Sequence, residues 1–237
     1  MSNLHLQKPV FQRFLNSLSK LNDSAILDIS ETSIRGIVTN EDNTFILWAN
    51  IDGEFDSEFT LNLPSLRKLE KSLDLIVSED FKFKVNSNRL EYSGDNVKFK
   101  YHLFDNGVIT RPKISLEKIQ SLNYDIEFDL SRSFVLNLLK QSSVFKTTNK
   151  LYIHTEDGHL VFSLADKSMA NSDELTIIGD PVDFELNKFI INLDNIRLLT
   201  LDQDLIKFRI NSSSCIGNFQ LHSKGMVLNY ITTTLRE

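Results

Sequence analysis

His154-Thr155-Glu156-Asp157-Gly158-His159 is the densest group of metal-capable side chains in the sequence. Its Glu-Asp-Gly core lies between two β-branched and apolar runs, 151–153 and 160–164, the pattern of a hairpin turn rather than of a ligand cage. Ser17-Leu18-Ser19-Lys20 matches the S-x-x-K string of serine acyl-enzymes, yet none of that chemistry's companion motifs occurs. The eight glycines are isolated, so no loop can cradle a phosphate. The acidic pairs Glu41-Asp42 and Glu79-Asp80 fall in turn-like stretches and are expected to be solvated. One cysteine, Cys215, excludes a disulfide framework and a multi-cysteine zinc site. These patterns ask for no enzyme and no cofactor.

Charge is more informative. The chain carries a formal −6 over 237 residues, but its cations are concentrated. Segments 1–22, 63–73, 130–150 and 193–199 together hold eleven basic and two acidic residues, leaving −15 for the remainder. Residues 1–22 and 130–150 contain no acid at all and read as helical. The expectation is a protein whose helices are positive and whose strands and loops are negative, giving two opposite surfaces.

The elements that carry those charges follow from periodicity. Phe11, Phe14, Leu15, Leu18 and Leu21 recur at three- and four-residue steps, predicting a helix over 8–21 with Pro9 in its first turn. Strand patterns cover 26–29, 34–38, 44–51 and 59–63; Pro64 and Ser65 then open a short helix with Leu66, Leu69 and Leu73 inward. Three more strands fall at 81–85, 89–92 and 97–103. A shift of 124 places Leu4 on Phe128, Phe11 on Val135, Phe14 on Leu138 and Leu27 on Leu151. A shift of 130 lays 59–69 on 189–199 with Phe, Asn, Leu, Arg and Leu identical, and a shift of 129 lays Tyr101 on Tyr230. The chain therefore reads as a duplication: an N-terminal domain at 1–106, a linker at 107–124 and a C-terminal domain at 125–237, each α+β with mainly antiparallel sheets.

No apolar run reaches the roughly 18 to 20 residues that span a bilayer, and the opening decapeptide lacks a signal pattern, so a cytoplasmic, membrane-free protein is expected.

This duplicated arrangement resembles the DNA sliding clamps, in particular the polymerase processivity clamps of tailed bacteriophages, which are similar in architecture to proliferating cell nuclear antigen. The residues that carry the likeness are the opening helix 8–21 with strand 25–29, the junction Phe189-Ile190-Ile191-Asn192-Leu193-Asp194-Asn195-Ile196-Arg197, and the closing strand 227–232. The resemblance implies a homotrimeric ring with helices lining the hole and sheets outside, encircling double-stranded DNA without reading its sequence. It further implies loading by an ATP-dependent clamp loader, capture of a DNA polymerase C-terminal peptide, and in some phages contact with late-transcription factors. Carried onto this chain, the DNA-facing residues are Arg13, Lys20, Arg67, Lys68, Lys71, Arg132, Lys140, Lys146 and Arg197. The partner-binding residues are Ile109, Ile114 and Tyr230. A β-rich oligomeric virion or assembly protein is the alternative, although such a part has no need of acid-free helices in both halves. Edges expected to join copies are 97–103 and 174–179.

Overall fold

The computed structural model describes residues 2–94, 96–111, 119, 121–144, 148–165, 173–223 and 225–235. The chain divides into two compact units, one of residues 1–120 with 222–229 and the other of 121–221 with 230–237. Every strand pair with a recorded register is antiparallel.

The first half runs β1 (Ser2–Gln7), α1 (Lys8–Ser19), β2 (Ala25–Ile29), β3 (Ser33–Thr39), β4 (Phe45–Asp52), β5 (Phe59–Leu63), α2 (Leu66–Leu73), β6 (Asp80–Asn86), β7 (Arg89–Ser93) and β8 (Lys98–His102). Its strands order as β1-β6-β7-β8 and β5-β2-β3-β4. The second half repeats the sequence of elements: β9 (Ile126–Ser131), α3 (Arg132–Ser142), β10 (Lys150–Glu156), β11 (His159–Ala165), β12 (Glu174–Pro181), β13 (Phe189–Asn192), α4 (Leu193–Arg197), β14 (Leu205–Asn211), β15 (Ile216–Ser223) and β16 (Met226–Thr233). Its strand orders, β9-β14-β15-β16 and β13-β10-β11-β12, are the same permutation. The duplication read from the sequence is thus a duplication of topology.

Alternation explains most of these strands. In β6, Phe81, Phe83 and Val85 are buried while Asp80, Lys82 and Lys84 are exposed. Phe83 meets Phe81 edge-on with ring centroids 5.1 Å apart, and Tyr92 packs on Phe99 at 5.4 Å. In the second unit, Phe208 stacks on Phe219 at 4.0 Å and meets Phe189 edge-on at 5.9 Å, so sheet faces are filled by aromatic pairs. Gly217 has no room for a Cβ, which would come within 2.9 Å of the Phe208 ring.

Two readings are corrected. Residues 1–22 do not form one helical segment: 2–7 is a strand paired with β6, and the helix begins at Lys8. Likewise 126–131 is a strand, the helix is confined to Arg132–Ser142, and Lys150 opens β10. In both halves the strand passes into the helix without a spacer residue.

The Asp157-Gly158 pair has φ of 49° and 73°, and Glu156 pairs with His159, which makes it a two-residue hairpin turn with both central residues left-handed. His159 Nδ1 lies 3.0 Å from the Asp157 carbonyl. Among the described residues no group of three or more His, Cys, Asp or Glu could hold a metal ion. Ser17 is buried and donates to the Arg13 carbonyl at 2.9 Å, a helix-internal bond that gives the S-x-x-K string a structural role.

Candidate nucleic-acid interface

Helix α1 buries Phe11, Phe14, Leu15 and Leu18 and leaves Asn16 and Lys20 exposed, with Arg13 half-buried. Helix α2 buries Leu66, Leu69 and Leu73, which forces Arg67, Lys68 and Lys71 outward on the opposite face. The two helices interlock through their ends. Asp23, just past α1, accepts from the Arg67 backbone N–H at 2.9 Å and from the Ser65 hydroxyl at 2.8 Å, capping α2. Ser65 Oγ in turn accepts from the Lys68 N–H at 3.2 Å. In the other direction the Arg67 guanidinium donates to the Ser19 carbonyl at 3.2 Å, satisfying an orphan carbonyl at the end of α1. Lys8 Nζ donates to the Ile76 carbonyl at 2.6 Å, and Gln12 Nε2 to Asp74 Oδ1 at 2.8 Å, tying the start of α1 to the residues after α2. Lys20 and Arg67 are therefore held as neighbours, with Lys68 and Lys71 beside them on the exposed face of α2.

The second unit is sparser. Arg132 opens α3 and Lys140 closes it, both exposed, with Leu136 between them at 45% exposure. Arg197 ends α4 and is ion-paired with Asp194, whose other oxygen accepts from Asn149 Nδ2 at 3.0 Å. Arg67 and Arg197 occupy equivalent repeat positions but do different work: one caps the preceding helix, the other is neutralised on its own. Lys146 lies outside the described residues.

Helix ends add to this field. Neither α1 nor α3 has an acid in its first turn, and each has a cation at its first position, Lys8 and Arg132. A cation at the positive end of a helix dipole costs on the order of 0.3 to 1 kcal/mol, so Arg132 is not placed there for helix stability.

Of the expected partner-binding residues, Ile109 is half-buried, close to exposed Val108, and Ile114 lies outside the described residues. Tyr230 is not at a surface. Its ring is fully buried, its hydroxyl donates to Thr200 Oγ1 at 3.0 Å and accepts from the Thr200 N–H at 3.2 Å, and burial pushes its ionisation up to about 12. It is a core residue because β16 is buried on nearly every position, so its side chains cannot be divided into inner and outer by alternation.

The expected negativity of the strands fails in one place. The exposed face of β1-β6-β7-β8 presents Lys82, Lys84, Lys98 and Lys100. The signal is in the sequence as two matching strings, Phe81-Lys82-Phe83-Lys84-Val85 and Val97-Lys98-Phe99-Lys100-Tyr101, with lysine at each outward position. The charge of the helices alone does not reveal it.

Across its full length the chain superposes on solved PCNA and DNA polymerase III beta-subunit structures. It covers 100% of itself and 99% of the A. fulgidus PCNA chain bound to the C-terminal region of FEN-1, at a TM-score of 0.75 and 12% identity. It has the fold of the sliding clamps. Against PCNA from Entamoeba histolytica the TM-score is 0.72 at 16% identity, with both chains fully covered. Against the DNA polymerase III subunit beta from Pseudomonas aeruginosa it is 0.76 at 12% identity, all of this chain matching 67% of that one. No sequence-family profile and no curated protein matches the chain. Among the described residues no helix is long and apolar enough to cross a membrane.

Proposed function

We propose that this chain is a sliding clamp that closes as a head-to-tail homotrimer around double-stranded DNA and tethers a replicative DNA polymerase, a processivity factor of the kind tailed bacteriophages encode. The observation that carries the reading is the end-to-end match of a two-unit chain to PCNA combined with outward cations on its helices. Lys20, Arg67, Lys68, Lys71, Arg132 and Lys140, with Arg13 and Lys146, meet phosphates and leave the bases unread, an affinity that salt weakens and that permits sliding. Arg197 contributes least, being paired with Asp194. An ATP-dependent loader opens the ring, and the polymerase C-terminal peptide docks at the linker around Ile109 and Ile114, as the PCNA of A. fulgidus binds the C-terminal region of FEN-1. Late-transcription factors are further users of that docking site. The chain itself performs no catalysis in this reading.

Lys68→Ala/Lys71→Ala tests the interface more cleanly than any Arg67 variant, because Arg67 also holds the end of α1. The variant should keep its fold and assembly while its association with a duplex weakens. The slope of log affinity against log salt should fall by about 0.9 for each phosphate that is no longer neutralised. An unchanged slope in a folded variant rejects the assignment.

A further inference from the structure

One face of the β1-β6-β7-β8 sheet is closed by Leu4, Leu6, Phe83, Leu90 and Tyr101. On the opposite face, register sets Lys84 opposite Glu91 and Glu91 opposite Lys100, while Ser93 lies opposite Lys98. The four lysines thus form two pairs flanking β7, their Cα positions roughly 7 Å apart along each strand and roughly 10 Å apart across it. A depression of about 810 Å³ lies over them. Glu91 is engaged by Arg89, which together with Lys100 and Lys84 holds its carboxyl below the usual range. Among the described residues no carboxylate forms an ion pair with any of the four lysines. Glu91 can offset Lys84 and Lys100, the two lysines set opposite it, but one carboxylate already engaged by Arg89 leaves the four-lysine face with a net positive charge in a chain of net −6.

We propose that this face docks an acidic, extended segment of a partner protein, with carboxylates at alternate positions. An extended peptide repeats its outward side chains at roughly 7 Å, the lysine spacing along β6 and β8. The patch is too small for a duplex, whose affinity comes from many phosphates spread along its length. Glu91 at its centre discriminates further: a peptide can set a neutral residue there, whereas a phosphodiester chain presents a charge at every step. Lys98 and Lys100 also lie on the edge strand β8, so the inference is tested on Lys82 and Lys84 of the interior strand β6, which the joint between copies does not use.

The test is fluorescence anisotropy of the full chain with a labelled alternating Glu-Ser peptide of about ten residues, long enough to cross the sheet. Binding should be salt-sensitive, weakened at least about tenfold by Lys82→Glu/Lys84→Glu, and unchanged by Lys68→Ala/Lys71→Ala. Lys82 and Lys84 sit on an interior strand, and circular dichroism verifies the fold; should the Glu variant unfold, Lys82→Gln/Lys84→Gln decides by the same loss. No binding, or equal binding by the folded variant, overturns the proposal. A labelled oligo-dT whose binding depends on Lys82 and Lys84, where the peptide's does not, assigns the face to nucleic acid and overturns it too. Light scattering reports assembly separately, so failure of the ring reading is not confused with failure of this one.

Discussion

Tyr101 and Tyr230, paired by the repeat, are both sealed into the fold by their hydroxyls. Tyr101 accepts from the Ser65 N–H at 2.9 Å and donates to the Ser65 carbonyl at 2.7 Å, fixing the start of α2, while Tyr230 fixes Thr200 just after α4. Burial pushes each phenol up to about 12. A phenol raised in the folded state stabilises fully below its unfolded value of about 10, and that stability is lost as pH climbs through the folded value. The melting temperature should therefore fall between about pH 10 and pH 12. Tyr230→Phe should lose about 1 to 2 kcal/mol at neutral pH through the missing hydroxyl, yet show a flatter alkaline decline than the parent. Parallel declines in thermal melts across that window would refute this. At the same scale, Arg111 clasps Asp28 through two bonds of 2.6 Å, and Thr60 donates to the same carboxylate at 3.0 Å. The guanidinium holds Asp28 below the ordinary carboxylate range despite partial burial, so the clasp outlasts the acidity at which a free aspartate takes up its proton.

At the scale of elements, the exchange of caps between α1 and α2 is what turns two short helices into one surface. A helix of eight residues has little stability of its own. Asp23→Ala removes the carboxylate that accepts from the Ser65 hydroxyl and the Arg67 N–H and should cost about 1 kcal/mol in urea unfolding while also loosening the Lys68 side of the interface. A variant of unchanged stability would show that Ser65 suffices. The helix faces were legible because the three- and four-residue spacing of Phe11, Phe14, Leu15 and Leu18 admits one inward side, and Leu66, Leu69 and Leu73 do the same. Strand β1 was not legible, since Leu4 and Leu6 give only two alternations before the chain enters α1 with no turn residue between. Gln7, the residue before that helix, makes no side-chain cap, so the usual start signal is missing too. Tyr230 was misplaced for a related reason: in a strand buried on both faces, alternation carries no directional information. The lysines of β6 and β8 had a clear period of two, and it was the link from charge to helices that obscured them.

For the whole molecule, the question is how copies meet. Strands β8 and β12 each end a sheet, as the sequence suggested, and both carry outward residues suited to each other. Strand β8 presents Lys98, Lys100 and His102; the segment from Asp173 through β12 presents Asp173, Glu174 and Asp180 around Ile178, which is 69% exposed. An unpaired edge invites a second chain, and a head-to-tail contact that returns to its start closes a ring. Exposed ion pairs contribute about 0 to 1 kcal/mol each, whereas burying an isoleucine contributes roughly 1.5 to 3 kcal/mol, so Ile178 should dominate affinity and the charges should set direction. For the proposed trimeric ring, Ile178→Asp is accordingly expected to shift the light-scattering mass from trimer to monomer. Lys98→Glu/Lys100→Glu should raise the dissociation constant less and invert the salt response, since added salt then screens a repulsion, and adding Glu174→Lys/Asp180→Lys should restore the original behaviour. The pairing of these two edges is wrong if Ile178→Asp leaves the assembly intact, or if the charge reversals on β12 fail to rescue those on β8.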